Sequence, residues 1–301
     1  MTHRYFLGAN SRKGFVSLYE DFPPDAGAFL HILKSGPGTG KSGFMRRIGR
    51  EAEARGLDVH YVLCSGDPDS LDGIYLPALK QAWVDGTAPH VIEPKIFGAD
   101  SDYVNLGIYF HGPFDETEKG RLHELQSAYR AHYGKAYELL SACPEQKADH
   151  DPGSFPFAVL EALPDHPRHG SITRRFLNAI TCKGILHLEE DLQTARTLRS
   201  TPEQIAAISA KLPETGLDGV LCLSPLDSGR PEALWIPEAG VALTALFEPI
   251  PEEDPNMQRA LDELRTAKSL HDEMESLYLP HMDFPALDAY TRSVIDRLFS
   301  A

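Results

Sequence analysis

Cysteine is scarce in this chain of 301 residues. The four present, Cys64, Cys143, Cys182 and Cys222, are widely separated and form no C-x-x-C pair. Such spacing offers neither a disulfide framework nor a zinc site, so the expectation is buried, reduced thiols. Long apolar runs are missing too. None approaches the ~20 residues that a membrane-crossing helix needs, and the opening Met-Thr-His-Arg-Tyr lacks the charged-then-apolar layout of a signal peptide. The expected setting is cytoplasmic, with no membrane partner. Positive charge is also short, with 29 Lys and Arg against 44 Asp and Glu and a formal net charge of −15. This argues against nucleic acid as the main partner, because phosphate backbones are held by clustered basic side chains. No Asn-Lys-x-Asp segment, which would read a guanine base, occurs anywhere.

The 42% hydrophobic content is enough to bury a core, and the length allows one large domain or two small ones. The charge is unevenly spread. Residues 1–55 hold nine Lys or Arg against five Asp or Glu, a basic start that suits an anionic small ligand, while the acidic remainder reads as solvated surface.

That basic start contains Phe29-Leu-His-Ile-Leu-Lys-Ser-Gly-Pro-Gly-Thr-Gly-Lys-Ser42. An apolar run able to form a buried strand leads into a glycine-rich turn and then into a helix with Phe44, Met45, Ile48 and Ala52 on one side. This order is what a phosphate-binding loop requires. The loop residues are Ser35, Gly36, Pro37, Gly38, Thr39, Gly40, Lys41, Ser42 and Gly43. Gly36, Gly38 and Gly40 allow backbone N–H groups to approach a polyphosphate at the helix N-terminus. Lys41 is expected on the β and γ phosphates and Ser42 on Mg²⁺. The common pattern has glycine at its first position, where this chain has Ser35.

The chain is duplicated. Arg4–Asp21 and Arg174–Asp191 agree at nine of eighteen positions with an offset of 170, including Phe6 with Phe176, Lys13 with Lys183 and Gly14 with Gly184. Unrelated stretches would share about one. Farther on, the offset becomes 160, pairing Gly56-Leu-Asp58 with Gly216-Leu-Asp218 and Asp67 with Asp227. The ten residues lost lie where the first copy carries its loop. The expected organisation is a nucleotide-binding half over 1–143, a linker over 144–170 with a short helix near Phe157–Leu163, and a degenerate second repeat over 171–301. The linker histidines His150, His166 and His169 read as solvated loop residues.

Several carboxylates compete for a role beside the loop. Ala82-Trp-Val-Asp85 would deliver Asp85 at the C-terminal end of a strand, the edge at which open parallel sheets bind ligands, and makes it the first candidate to hold Mg²⁺ with Ser42. His90-Val-Ile-Glu93 is the competitor. Ala245 stands where Asp85 would recur, so the second copy has lost loop and carboxylate together. Asp67, Asp69 and Asp72 lie in a stretch rich in Pro, Ser and Gly, which also suits an exposed turn. Helices are expected after the Asp115/Glu118 capping box, after Asp254-Pro255 and after Asp283.

With both repeats in view, the chain resembles a little-characterised bacterial family of duplicated P-loop ATPase-like proteins. The resemblance rests on Lys13-Gly14-Phe15, Gly36–Ser42, Asp67–Gly73, Asp85-Gly-Thr-Ala-Pro-His90, Lys183-Gly184 and Met282-Asp-Phe284. It implies an α/β fold, with a P-loop NTPase-like, mainly parallel sheet flanked by helices, followed by a degenerate α/β repeat and C-terminal helices. Members tend to carry a loop in both halves, which this chain does not.

The expected function is an ATPase with one Mg²⁺-dependent site per chain. Lys41 would neutralise the transferring phosphoryl group, Ser42 and Asp85 would hold the metal, and Glu93 or Asp67 would orient water. A small-molecule kinase and a non-hydrolysing nucleotide sensor are the alternatives. A protein partner or homo-oligomer stays open.

Overall fold

The computed structural model describes residues 1–147, 168–188, 192, 195–245 and 250–300. The short helix expected near Phe157–Leu163, with His150 and His166, lies outside the described residues. His169 is exposed. Two compact units result: Met1–Arg4, Phe22–Ala136 and Asp262–Ala301 form the first, and Tyr5–Asp21 and Tyr137–Leu261 the second. The principal helices are α1 (Lys41–Ala54), α2 (Glu116–Ser141), α3 (Pro202–Lys211), α4 (Pro255–Tyr278) and α5 (Phe284–Phe299). No helix among the described residues is long and apolar enough to cross a membrane.

The strands of the first half are β1 (Thr2–Phe6), β2 (Gly8–Ser11), β3 (Gly14–Ser17), β4 (Phe29–Lys34), β5 (Val59–Leu63), β6 (Leu71–Leu76), β7 (Gln81–Asp85) and β8 (Ser101–Asn105). Six of them form one sheet in the order β1-β5-β6-β7-β4-β8. β4 has a parallel neighbour on each side, pairing Leu33 with Asp85 on β7 and Lys34 with Asn105 on β8. The sheet is nevertheless mixed. β5, β6 and β7 form an antiparallel meander, because the Cys64–Ser70 and Pro77–Lys80 connections are shorter than the dozen or so residues a parallel crossover needs.

α1 buries Phe44, Met45, Ile48 and Ala52, the side foreseen from their spacing. They pack with Leu33, Ile74 and Trp83 of the sheet and with Met282 and Leu287 from the C-terminal segment. α2 opens on the expected capping box, with the Asp115 N–H donating to Glu118 Oε2 at 2.9 Å and the Glu118 N–H to Asp115 Oδ1 at 2.8 Å. Asp283 caps α5 by accepting the Ala286 N–H at 2.9 Å.

In the second half, β9 (Ile172–Arg175), β10 (Asn178–Thr181), β11 (Gly184–His187), β12 (Arg196–Ser200), β13 (Gly219–Leu223), β14 (Pro231–Ile236) and β15 (Val241–Ala245) repeat the plan. The sheet order β9-β13-β14-β15-β12 copies β1-β5-β6-β7-β4 strand for strand. Ile205, Ile208 and Leu212 cover it through Leu234 and Leu243.

The compact units cut across the halves expected from the sequence. Residues 262–300 belong to the first unit, where the apolar stripe of the C-terminal helices meets α1. Residues 5–21 belong to the second, where the copies meet each other. Phe6 and Phe176 exchange backbone hydrogen bonds, each N–H donating to the other's carbonyl at 2.9 Å. The β2–β3 and β10–β11 hairpins share one turn chemistry. Ser11 and Thr181 donate their hydroxyls to the carbonyls of Gly14 and Gly184 and accept the N–H groups of Lys13 and Lys183. Gly14 and Gly184 sit at φ +94° and +105°, where a side chain would be strained. Local turn geometry therefore accounts for the repeated glycine.

Candidate functional site

β4, between β7 and the edge strand β8, delivers the loop from the first sheet. Beyond Lys34 the chain turns through Ser35–Gly40 and enters α1 at Lys41. Gly38 and Gly40 have φ +65° and +91°, the left-handed region that glycine enters without steric cost. The loop is closed by its own hydroxyls. Thr39 Oγ1 donates to the Gly36 carbonyl at 2.7 Å, so the 2.5 Å contact between Ser35 and Thr39 is a donation from Ser35. Ser35 thus has a structural task at the position where the common pattern has glycine.

No side chain caps the α1 N-terminus at Gly40, and no acidic residue lies in its first turn. Uncapped N–H groups and the helix dipole make such an end favourable for an anion. Lys41, the first helical residue, donates to the Gly36 carbonyl at 2.7 Å, and its Nζ lies 3.5 Å from Asp85 Oδ2. The two side chains are 10% and 14% exposed, so the pair is largely shielded from water. Ser42 Oγ accepts the Leu71 N–H at 3.0 Å, which ties α1 to the start of β6.

Asp85 ends β7 and is registered against Leu33, two residues before the loop. Its Oδ1 accepts from the Thr87 N–H at 2.9 Å and the Thr87 hydroxyl at 2.6 Å, which leaves Oδ2 toward Lys41. His90 lies behind it. Nδ1 donates to the Asp85 carbonyl at 2.9 Å, and Nε2 is 3.4 Å from Asp72 Oδ2. Both His90 and Asp72 are buried. Burial works against charge on His90, yet the Asp72 carboxylate and the two acceptors outweigh it and raise the imidazole pKa. Cys64 is half-buried, where the other three cysteines are buried as expected, and burial and Asp72 push its thiol well above the ordinary range, which disfavours the thiolate.

The structure thus pairs Lys41 with Asp85 beyond the ends of β4 and β7, and places the Ser42 hydroxyl on the Leu71 N–H. Glu93 is engaged elsewhere: it accepts from Lys34 Nζ at 3.1 Å and from the Tyr103 hydroxyl, and is 61% exposed. Asp67 organises a turn, accepting the Asp69 N–H and the Ser70 hydroxyl and facing Lys268 at 3.4 Å. The second copy keeps this turn, with the Arg230 N–H donating to the Asp227 carbonyl as Ser70 does to Asp67. Retention in the copy without a loop marks Asp67 as a turn former. Asp72, expected in the same turn, is instead the second residue of the fully buried β6.

The corresponding edge of the second unit lacks these parts. β12 passes into α3 through Thr201 alone, which forms a capping box with Gln204. One capping hydroxyl satisfies the helix N-terminus that the first copy leaves open. Ala245 pairs with Ser200 as Asp85 pairs with Leu33, and Lys211 lies in the last turn of α3. Arg174 is held by Asp21 at 2.6 Å and Glu20 at 2.8 Å within the second unit, and these carboxylates raise its pKa.

The C-terminal helices reach the loop in the first unit, which sequence reasoning missed. The Gly38 N–H donates to Glu275 Oε1 at 3.1 Å. A Cβ built on Gly36 would lie 2.5 Å from the Tyr278 ring, one on Gly38 3.0 Å from Glu275 atoms, and one on Gly40 2.8 Å from Leu287. No family model, curated protein or solved structure matches the chain.

Proposed function

We propose that the first unit binds a nucleoside triphosphate, ATP, together with Mg²⁺ through Ser35–Gly43, and hydrolyses it at one site per chain. One observation carries this reading. A glycine-rich turn between a strand with parallel neighbours on both sides and an uncapped helix presents Lys41, and the neighbouring parallel strand delivers Asp85 to within 3.5 Å of that ammonium. The loop N–H groups and the α1 dipole would hold phosphate oxygens, and Lys41 would neutralise their charge. A hydroxyl and a carboxylate are hard oxygen donors suited to Mg²⁺, so Ser42 and Asp85 fit the metal. Bound there, it would supply charge stabilisation to the phosphates. His90 fixes Asp85 by binding its carbonyl, and Thr87 fixes its carboxylate. The resemblance to duplicated P-loop ATPase-like proteins is consistent with this reading. The second unit, with Thr201 in place of a loop, holds no nucleotide in this reading.

Phosphate release from ATP with Mg²⁺, measured with and without a small-metabolite pool, tests the reaction. Release without an acceptor supports hydrolysis. ADP formed only with an acceptor would make the protein a kinase, and binding without either product would make it a sensor.

A further inference from the structure

We propose that α4 closes the phosphate loop, with the Glu275 carboxylate standing where a polyphosphate oxygen would bind, so that nucleotide and Glu275 compete for one set of N–H groups. The inference rests on the nucleotide reading above and adds its regulation. A loop shaped to receive an anion already holds one, because Glu275 accepts the Gly38 N–H at 3.1 Å. A carboxylate is the side chain nearest in charge and acceptor chemistry to a phosphate oxygen, and backbone N–H groups in such turns bind either.

The contact is more than a single hydrogen bond. A Cβ on Gly38 would lie 3.0 Å from the Glu275 backbone carbonyl, and one on Gly36 2.5 Å from the Tyr278 ring. The last turn of the helix is therefore in contact with the loop, and the Gly38 N–H is taken from a polyphosphate while Glu275 keeps this bond. His271, one turn earlier on α4, has Nδ1 3.8 Å from Glu275 Oε1.

Elsewhere α4 is held by the buried Met274, by Tyr278 against Phe110 and Phe114, and by exposed or half-buried polar pairs, Arg121 with Glu273 and Lys268 with Asp67. Solvent-exposed pairs of this kind contribute little. Displacing the last two turns of α4 means giving up this packing as well as the Glu275 bond, and the Glu275 bond is the one a phosphate would replace.

The test uses the full-length chain, with calorimetric titration of a non-hydrolysable ATP analogue and Mg²⁺ into the wild type, Glu275→Ala and, as a second variant, Tyr278→Ala. Removing a charge-assisted competitor should tighten binding by about tenfold or more in Glu275→Ala. Opening the Gly36 end should tighten it in Tyr278→Ala as well. Hydrogen exchange in the wild type should show residues 271–278 losing protection when the analogue binds. Wild-type binding with affinity unchanged or weaker in both variants, or with residues 271–278 gaining protection, would overturn the competition while leaving the nucleotide site intact. No binding by any of the three proteins would overturn the nucleotide reading and this inference with it.

Discussion

Lys41 Nζ and Asp85 Oδ2 lie 3.5 Å apart at the end of two parallel strands, with both side chains largely buried. An ammonium and a carboxylate held at this distance out of water are costly to leave unpaired. Lys41→Ala should therefore weaken binding of an ATP analogue by about 2–5 kcal/mol, the usual cost of removing one side of a buried charged contact, and abolish turnover. Asp85→Ala should spare binding more and reduce turnover by ~100-fold or more, since a metal-ordering carboxylate acts chiefly as charge develops in the transition state. Phosphate-release kinetics beside calorimetry measure both. Wild-type turnover in Asp85→Ala with loss in Glu93→Ala would reassign the metal carboxylate.

His90 provides a pH test. Its pKa is raised in the folded protein: burial opposes the charge, and Asp72 and the Asp85 carbonyl more than compensate. The unfolded value is about 6.5. A group raised on folding contributes stability that is complete below its unfolded pKa and is lost as pH rises through the folded one. Urea unfolding in EDTA should thus show a stability loss from about pH 6 upward that His90→Gln lacks. Parallel pH profiles for the two proteins would remove the pair from the account.

How much of this was legible before the structure depended on the range of the signal. Asp85 could be placed because an apolar run ending in a carboxylate reads locally as a strand delivering an acid to the sheet edge. Glu93 misled because His90-Val-Ile-Glu has the same look. Pro89 and Pro94 flank it, each withholding a ladder N–H, and the segment forms no strand. Asp72 was hidden in a stretch of turn-forming residues, although the strand β6 begins inside that stretch at Leu71. Glu275 carried no local mark at all. Its partner Gly38 is 237 positions away, and an amphipathic period shows which side of a helix is polar but not which loop that side meets. The duplication was fully legible as matched residues, but the exchange of hairpin and C-terminal helices between units depends on tertiary packing.

The hairpin turns isolate backbone strain from packing. A Cβ on Gly14 or Gly184 would meet nothing within 4 Å, so Gly14→Ala and Gly184→Ala should each cost about 1–2 kcal/mol through positive φ alone. Denaturant titration of the two variants checks this, with unchanged midpoints as the contrary result.

Thr201 replaces a six-residue loop with one hydroxyl cap. Thr201→Ala should lower stability by ~1 kcal/mol, as N-cap deletions do, and leave nucleotide affinity unchanged. Denaturant midpoints together with analogue titration measure both. A loss of affinity in this variant would give the second unit a share in the site.

Calorimetric titration of a non-hydrolysable ATP analogue with Mg²⁺ into the wild-type chain and Lys41→Ala tests the central claim most directly. One site per chain that is lost in Lys41→Ala is the predicted result. Two equivalent sites, a site undiminished in Lys41→Ala, or no binding to the wild type would contradict it.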